Sequence, residues 1–233
     1  MQLKRSTVKM IKQKILLAGI TIASALPARA QQVDSSFHNY LYDSRLAYFN
    51  QLPVVDNTII FWGDSITHWG DWAELLGFKK VLNRGIAGDN TYGLRGRIDE
   101  VLRHKPKKLF ILIGTNDLNK KIPVSYIIDN YKKMIAEIKQ RSSSTAIYVQ
   151  SVFPINDSLI GRQYYSATNE QISELNNALQ KMSAEQNVPY LNIHDALMDD
   201  KRQMAASYTY DGLHLSGKGY LAWIGYLKRN KFL

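Results

Sequence analysis

The stretch KLFILI at residues 108–113 is apolar throughout after Lys108, and Gly114 follows it directly. A strand with one face in solvent would alternate apolar and polar residues, so a continuous apolar run is typical of a strand buried on both faces. Such strands lie in the middle of parallel sheets, because helices cover both faces of these sheets. The stretch therefore predicts a central strand of an α/β protein.

Working outward from this strand, further short apolar runs alternate with segments that have apolar residues at helical spacing. The runs are predicted strands: 58–62, 80–83, 146–152 and 188–193. The segments between and after them are predicted helices: 69–76, 91–104, 124–141, 168–186 and 218–229. This alternation indicates a five-stranded parallel sheet with helices on both faces. We see no linker inside residues 31–233, which we predict to be one domain that begins with a helix at about 33–50.

The first 30 residues have the pattern of a secretory signal peptide. Five basic residues precede an apolar run at 15–26, and Ala28-Arg29-Ala30 has the small-x-small pattern of a cleavage site. The run is shorter than the roughly 20 residues that a membrane-spanning helix needs. We expect cleavage after Ala30 and export to a bacterial periplasm or to the medium, with no membrane span remaining. An uncleaved membrane anchor is the alternative.

The net charge of +10 arises mainly from this segment, which holds six of the 30 basic residues and no acidic residue. Residues 31–233 carry 24 basic and 20 acidic residues, a net charge of +4, so the composition does not favour a nucleic-acid partner. The absence of cysteine excludes disulfides, thiolate metal ligands and a cysteine nucleophile. No histidine or acidic residues have the spacing of a metal site, so we predict neither metal nor cofactor.

Polar loops follow the predicted strands, at the edge of a parallel sheet where ligands bind. The first strand ends in Gly63-Asp64-Ser65, the second is followed by 85–90 and the third by 114–117. Another loop, before the last helix, contains Asp211-Gly212-Leu213-His214. Four loops from distant parts of the sequence are therefore expected to meet at one edge.

Ser65, His214 and Asp211 are the candidate catalytic residues in these loops. A serine hydroxyl becomes a good nucleophile when a neighbouring imidazole takes its proton. Asp211 lies three residues before His214, close enough to accept a hydrogen bond from Nδ1 and to fix the tautomer of the ring. The combination predicts acyl transfer by a serine nucleophile.

Acyl transfer also needs hydrogen-bond donors for the oxyanion, and three are available. Gly88 is predicted to begin the helix after the second strand, so that its N–H points outward at the positive helix end. Asn116 offers a side-chain amide from the neighbouring loop, and the Ser65 N–H is a third donor.

Taken together and in this order, the four loops resemble the SGNH hydrolase family, also called the GDSL esterase/lipase family. The residues that carry the resemblance are GDSI at 63–66, NRGIAGDN at 83–90, GTND at 114–117 and DGLH at 211–214. The resemblance covers about residues 55–230 and departs from the name-giving motif only at Ile66, where the motif has leucine. It implies a flavodoxin-like three-layer α/β/α sandwich with five parallel strands. It also implies the roles given above to the catalytic and oxyanion-hole residues, and it favours Gly88 over Gly85 as a donor.

Several residues near the loops are candidates for lining the substrate cleft. Core packing is the ordinary role of aromatic residues, but Trp69 or Tyr210 could stack on a sugar at the mouth of the site. Arg84 could contact an acidic substrate, although a surface salt bridge is the simpler interpretation. Asp64 and Asn90 complete this group because each adjoins a predicted site residue or its loop.

A second base–acid pair, His194-Asp195, follows the fifth strand. We rank it below the pair of Asp211 and His214, because adjacent residues on an extended segment point in opposite directions.

These patterns predict a secreted serine esterase that acts through an acyl-enzyme. The loop at 152–165 is not a broad apolar lid, which favours short acyl groups, and exported relatives within the resemblance act on acetylated carbohydrates. A small ester or acetylated saccharide is the expected partner, and the sequence does not indicate the oligomeric state. A lysophospholipase or thioesterase of the same family and a catalytically silent carbohydrate-binding module are the alternatives. A nucleotide-binding protein with a phosphate loop at 85–90 is disfavoured, because it leaves Asp211 and His214 without a role.

Overall fold

Five parallel strands form the sheet of the protein in a computed structural model that describes residues 33–78 and 80–233. They are β1 (Ile59–Gly63), β2 (Val81–Gly85), β3 (Lys108–Leu112), β4 (Ala146–Gln150) and β5 (Tyr190–Leu191). The strand order is β2-β1-β3-β4-β5, so β3 is central as predicted. The predicted signal peptide at 1–30 lies outside the described residues and stays a prediction.

Helices cover both faces of this sheet. The longer ones are α1 (Tyr40–Gln51), α7 (Val124–Arg141), α8 (Asn169–Glu185) and α10 (Gly217–Arg229). The short ones are α2 (Ser65–His68), α3 (Trp72–Leu76), α4 (Thr91–Gly96), α5 (Ile98–Leu102), α6 (Thr115–Asn119) and α9 (His194–Leu197), with a 3₁₀ turn at Ala206–Tyr208. None of the described helices combines the length and the apolar composition needed to cross a membrane.

The residues of the central strands alternate between two apolar cores. Leu109 and Ile111 of β3 pack with residues of α7 and α8 on one face of the sheet. Phe110 and Leu112 pack with residues of α3 and α10 on the other face. Residues 109–112 are all at most 2% exposed, which confirms both the buried central strand and the three-layer α/β/α architecture.

The predicted helix at 91–104 is wrong in one respect, because the chain breaks it at Arg97. This residue has φ −122° and ψ 23°, ends α4 and precedes α5. Its side chain is completely buried and takes part in polar contacts described below. A buried guanidinium with fixed partners outweighs the propensity for one continuous helix.

The other differences concern the ends of elements. The N-terminal helix begins at Tyr40 rather than at 33, because the Asn39 side chain accepts a hydrogen bond from the Tyr42 N–H and caps the helix there. The predicted helix at 69–76 is formed only over Trp72–Leu76 as α3, and the separate short helix α2 precedes it. The fifth strand is only two residues long, because Ile193 already has helical backbone angles ahead of α9.

Candidate active site

Ser65 lies at the point where β1 ends and α2 begins, at the carboxyl edge of the sheet. The preceding Asp64 caps α2: its Oδ1 accepts a hydrogen bond from the Ile66 N–H at 3.0 Å. The first turn of the helix thereby orients Ser65, whose residue surface is only 7% exposed. The hydroxyl is held by the local backbone at the edge where the other site loops arrive.

The structure brings Ser65, His214 and Asp211 together although 149 positions separate the serine from the histidine. His214 Nε2 lies 3.0 Å from Ser65 Oγ, and His214 Nδ1 lies 2.6 Å from Asp211 Oδ2. With its proton on Nδ1, the imidazole donates to the carboxylate and leaves Nε2 free to accept the serine proton. This arrangement can activate the hydroxyl as a nucleophile.

The loop of Asp211 and His214 fixes the orientation of the carboxylate. Asp211 Oδ1 accepts hydrogen bonds from the N–H groups of Leu213, at 2.9 Å, and His214, at 2.7 Å. Gly212 between them has φ +90°, and a Cβ there would come within 2.5 Å of the Ile160 nitrogen, so the loop requires glycine. Partial burial opposes ionisation of Asp211, but the hydrogen bonds from the His214 ring and from the two backbone N–H groups lower its pKa below the ordinary value. Asp211 is therefore a carboxylate under the conditions in which His214 can act as a base.

The two predicted oxyanion donors outside the serine loop come from the loops after β2 and β3. Gly88 is exposed and has φ +80°, a left-handed conformation that favours glycine. Asn116 is half-buried, and its Nδ2 donates to the Asp89 carbonyl at 2.9 Å, which fixes the amide and leaves one of its two hydrogens for another acceptor. The expectation that Gly88 begins a helix is wrong, because α4 begins at Thr91 with Asn90 as its cap.

Three buried aspartates adjoin the candidate nucleophile and oxyanion donors in sequence. Asp64 precedes Ser65, Asp89 follows Gly88, and Asp117 follows Asn116; each aspartate is at most 1% exposed. Burial raises the pKa of Asp64 to about 8, with a further contribution from the other two carboxyls. Burial likewise raises the pKa values of Asp89 and Asp117 to about 6. Each of these site residues therefore has a buried carboxyl group next to it in sequence, with a pKa raised above the ordinary value.

Three of the residues predicted to line the cleft lie beneath the surface, and that prediction is wrong for them. Asp64 is 1% exposed and caps α2. Asn90 is 0% exposed because its side chain caps α4 and donates to the Ser36 carbonyl. Arg84 is 3% exposed, and its Nε contacts both carboxylate oxygens of Glu100 at 2.9 and 3.0 Å, so its salt bridge is internal rather than on the surface.

The two aromatic candidates, in contrast, are accessible. Trp69 is 56% exposed and Tyr210 is 63% exposed. The Tyr210 ring is nearly parallel to the His214 ring, with centroids 6.0 Å apart and an angle of 15° between the planes. Trp69 lines a cavity of about 360 Å³ together with Tyr220 and Leu221. Tyr210 can therefore meet a ligand bound at the Ser65–His214 pair, whereas the residues that line the Trp69 cavity include none of the predicted catalytic or oxyanion-hole residues.

The second histidine–aspartate pair is also formed, contrary to the expectation that its members point apart. Residues 194–197 form the short helix α9 instead of an extended segment, and His194 Nδ1 lies 3.1 Å from Asp195 Oδ1. His194 Nε2 is buried and has no hydrogen-bond partner among the described residues. The pair thus lacks a nucleophile on its second nitrogen, which is what distinguishes it from the pair at 211–214.

Comparison with known proteins agrees with this geometry. The model of the GDSL-like Lipase/Acylhydrolase family matches residues 61–222, which include all four loops. The chain belongs to this family. The predicted resemblance is therefore confirmed, and membership supports the prediction of an enzyme that hydrolyses ester bonds.

Individual known proteins resemble the chain to different extents. An isoamyl acetate-hydrolyzing esterase of Saccharomyces cerevisiae is 25% identical over 60% of this chain and 63% of its own length. An N-acylneuraminate cytidylyltransferase of Escherichia coli is 29% identical over 82% of this chain but only 43% of its own length. This chain thus spans less than two thirds of either curated relative. A solved structure from Streptococcus pneumonia, provisionally named platelet activating factor, is 33% identical with a TM-score of 0.72, covering 81% of this chain and 90% of its own.

Sequence reasoning did not identify Arg97, Asp89 or Asp117 as parts of the site. The available signal was that an aspartate directly follows each of the two predicted oxyanion donors outside the serine loop. An arginine within a helical pattern gives no such signal, because it normally lies on the solvent-facing side. Within the described residues, no group of three histidine, aspartate or glutamate side chains is arranged to hold a metal ion.

Proposed function

We propose that the protein is a serine esterase that cleaves carboxylic esters through an acyl-enzyme. The observation that carries the proposal is the continuous set of contacts from Ser65 Oγ through the His214 ring to Asp211, at 3.0 and 2.6 Å. The family assignment independently supports ester hydrolysis.

The chemistry follows from the positions of these groups. Ser65 Oγ attacks the carbonyl carbon of the ester while its proton passes to His214 Nε2. Asp211 stabilises the imidazolium. The negatively charged carbonyl oxygen is stabilised by hydrogen bonds from the N–H groups of Ser65 and Gly88 and from the amide of Asn116. When the bond to the leaving oxygen breaks, His214 returns the proton to the alcohol. Water then attacks the acyl-enzyme with His214 again as the base; as the bond from the acyl carbon to Ser65 Oγ breaks, His214 returns the proton to Oγ and the acid is released.

We propose short acyl groups, such as acetyl, and a carbohydrate as the alcohol. The yeast relative is named for the hydrolysis of an acetate ester, isoamyl acetate. The exposed Tyr210, whose ring lies 6.0 Å from that of His214, offers a flat apolar surface of the kind on which sugar rings stack, and Trp69 is also exposed. Neither observation favours a long acyl chain.

A panel of esters tests the function and the substrate class separately. It contains 4-nitrophenyl esters from acetate to decanoate, an acetylated xylose, an acyl-thioester and a lysophospholipid, assayed with the wild type, Ser65→Ala and Ser158→Ala. Ser158 is an exposed serine outside the site and serves as the matched control. We expect Ser65→Ala to lose about 10⁴-fold or more in kcat and Ser158→Ala to keep wild-type rates.

The possible results separate the alternatives. Equal hydrolysis by the wild type and Ser65→Ala would refute the serine mechanism. Faster turnover of the decanoate, the thioester or the lysophospholipid than of the acetates would keep the esterase and refute the acetyl preference. Binding of the acetylated xylose without hydrolysis of any ester would identify a silent binding module.

We also propose export with cleavage after Ala30. The pattern of residues 1–30 supports it. Expression of the full chain in a bacterium, cell fractionation and intact-mass measurement test it. A soluble species that begins at Gln31 outside the cytoplasm is expected, whereas a membrane-bound species that retains residues 1–30 would indicate the anchor.

A further inference from the structure

Arg97 lies under the site and connects three separate segments of the chain. Its Nε donates to Asp89 Oδ2 at 2.9 Å, and its two terminal nitrogens donate to the carbonyls of Arg84, at 2.9 Å, and Gly63, at 3.0 Å. The side chains of both Arg97 and Asp89 are 0% exposed. Each nitrogen of the guanidinium therefore has a different fixed partner.

These partners lead directly to the groups proposed to react. Gly63 is the last residue of β1, two positions before Ser65. Asp89 follows Gly88, and its carbonyl accepts the hydrogen bond that fixes the Asn116 amide. One guanidinium thus connects the loop of the nucleophile with the loop at 85–90. The latter contains Gly88 and, through the Asp89 carbonyl, fixes the Asn116 amide.

We propose that Arg97 is a positioning residue that holds the oxyanion hole at its working distance from Ser65. The inference rests on the proposed esterase function. It differs from the family assignment because Arg97 belongs to none of the four loops that carry the resemblance.

The role is geometric, so the shape of the side chain matters as well as its charge. A planar guanidinium directs its N–H groups along fixed directions and can hold three acceptors at once, whereas a lysine ammonium is a single point charge on a flexible stem. Lysine at position 97 can balance the charge of Asp89 but cannot also hold both carbonyls. An error of about 1 Å in the placement of reacting groups costs about 100-fold in rate.

The chain offers a control in Arg103, an arginine outside the four loops that also pairs with a buried carboxylate. Its side chain is 26% exposed, and its Nη2 lies 3.4 Å from Oε1 of Glu100, whose side chain is 2% exposed. Arg103 also donates to the carbonyls of Phe49, in α1, and Leu52, directly after α1. Among the described residues, no side-chain hydrogen bond of Arg103 reaches the loop of the nucleophile or the loops of the oxyanion donors.

The experiment compares Arg97→Lys with Arg103→Lys by kcat, KM and the midpoint of thermal unfolding. Activity is measured with 4-nitrophenyl acetate at a temperature where both variants are folded. Both substitutions should lower the unfolding midpoint. Only Arg97→Lys should lower kcat, by about 100-fold, with KM within about threefold of the wild type, because the loss affects the transition state rather than substrate binding.

If Arg97→Lys does not fold, Gly93→Ala replaces it. A Cβ at Gly93 would come within 1.9 Å of Asp89 Oδ1 and would displace the carboxylate without altering the arginine. The control is Gly225→Ala in α10, where a Cβ meets only the flexible end of Arg229. We expect kcat to fall at least tenfold for Gly93→Ala and to stay at the wild-type value for Gly225→Ala.

The results separate this inference from the function on which it rests. A wild type that hydrolyses no ester refutes the proposed function. An active wild type with wild-type kcat in Arg97→Lys, or in Gly93→Ala where that variant is used, refutes the positioning role. Equal losses of kcat in Arg97→Lys and Arg103→Lys would also refute it, because the effect would then follow stability alone.

Discussion

Two histidine–aspartate pairs lie at the carboxyl edge of the sheet, and only one of them has the contacts of a catalytic base. In both pairs Nδ1 contacts a carboxylate: His214 at 2.6 Å from Asp211 and His194 at 3.1 Å from Asp195. The second ring nitrogen distinguishes them, because Nε2 of His214 reaches Ser65 Oγ, whereas that of His194 is buried with no partner among the described residues. A contact between a histidine and a carboxylate is therefore not enough to make the histidine a catalytic base. The group that contacts the second ring nitrogen distinguishes the two pairs.

The carboxylates differ in the same way. Asp211 accepts hydrogen bonds from two backbone N–H groups in addition to its contact with the ring, so the loop fixes its orientation. The Asp195 side chain is 62% exposed and, among the described residues, accepts a hydrogen bond only from the Asn192 side chain besides its contact with the ring. The backbone of the 211–214 loop thus orients the carboxylate of Asp211, whereas the Asp195 carboxylate is not oriented in this way.

The largest difference should appear when each ring is removed. We expect His214→Ala to lower kcat/KM for an acetate ester by about 10⁴-fold or more, because Ser65 loses its base. His194→Ala should leave kcat/KM within about threefold of the wild type. Steady-state kinetics of the two purified variants checks this, and a comparable loss in both would remove the distinction between the pairs.

A smaller difference is expected from the carboxylates. Asp211→Asn should lower kcat by about 10³- to 10⁴-fold, because the amide no longer stabilises the imidazolium or selects the tautomer that leaves Nε2 free. Asp195→Asn is the matched control, and its kcat should be unchanged. Wild-type kcat in Asp211→Asn would mean that the 2.6 Å contact has no catalytic role.

The buried carboxyl next to the nucleophile should affect stability in a pH-dependent way. The raised pKa of Asp64, about 8, means that the folded protein keeps a proton which the unfolded chain loses near pH 4. The folded state then binds more protons, so the contribution of Asp64 to the free energy of unfolding falls as pH rises from about 4 to 8. Asp89 and Asp117 add a similar decline that ends near pH 6.

Asp64→Asn isolates this effect, because its side-chain oxygen can still accept from the Ile66 N–H. Between pH 6 and 8 the unfolding midpoint of the wild type should fall more steeply than that of the variant. Thermal unfolding followed by circular dichroism at several pH values measures it. Parallel curves for the two proteins would show that Asp64 does not hold its proton in the folded state.

The smallest expected effect is the pH dependence of stability due to Asp211, which is opposite in sign to that due to Asp64. Its lowered pKa stabilises the folded protein above the pH near 4 at which the unfolded chain titrates, and this contribution is lost as pH falls through the folded pKa. Asp211→Asn should therefore lose stability less steeply below pH 4 than Asp195→Asn. Unfolding midpoints at pH 3 and 5 test this, and equal slopes would contradict the stabilising role of the loop hydrogen bonds.

The sheet and the nucleophile loops were predictable because each depends on short patterns. A continuous apolar run such as 108–113 has few alternatives to a buried strand, and the loops that follow parallel strands must share one edge. The polar interior was not predictable. Arg97 and Arg84 have the composition of surface residues, and their buried partners, Asp89 and Glu100, are 8 and 16 positions away. Only the packed fold shows that each charge is paired.

The wrong predictions for Asp64 and Asn90 also arose because the sequence does not show which polar side chains are buried. Both are polar residues in loops, which favours exposure, yet each caps a helix whose first turn covers it. The account of His194-Asp195 failed because the predicted strand was too long, and the short helix α9 turned the two side chains toward each other.

Covalent labelling of the nucleophile shows whether Ser65, activated by His214, is the reacting group. A fluorophosphonate reacts with a serine hydroxyl that a neighbouring base activates, and mass spectrometry of the digested protein locates the adduct. We predict one adduct per chain, on Ser65, formed at the wild-type rate in His194→Ala and much more slowly in His214→Ala. An adduct on another serine, or an unlabelled protein that still hydrolyses esters, would contradict the account.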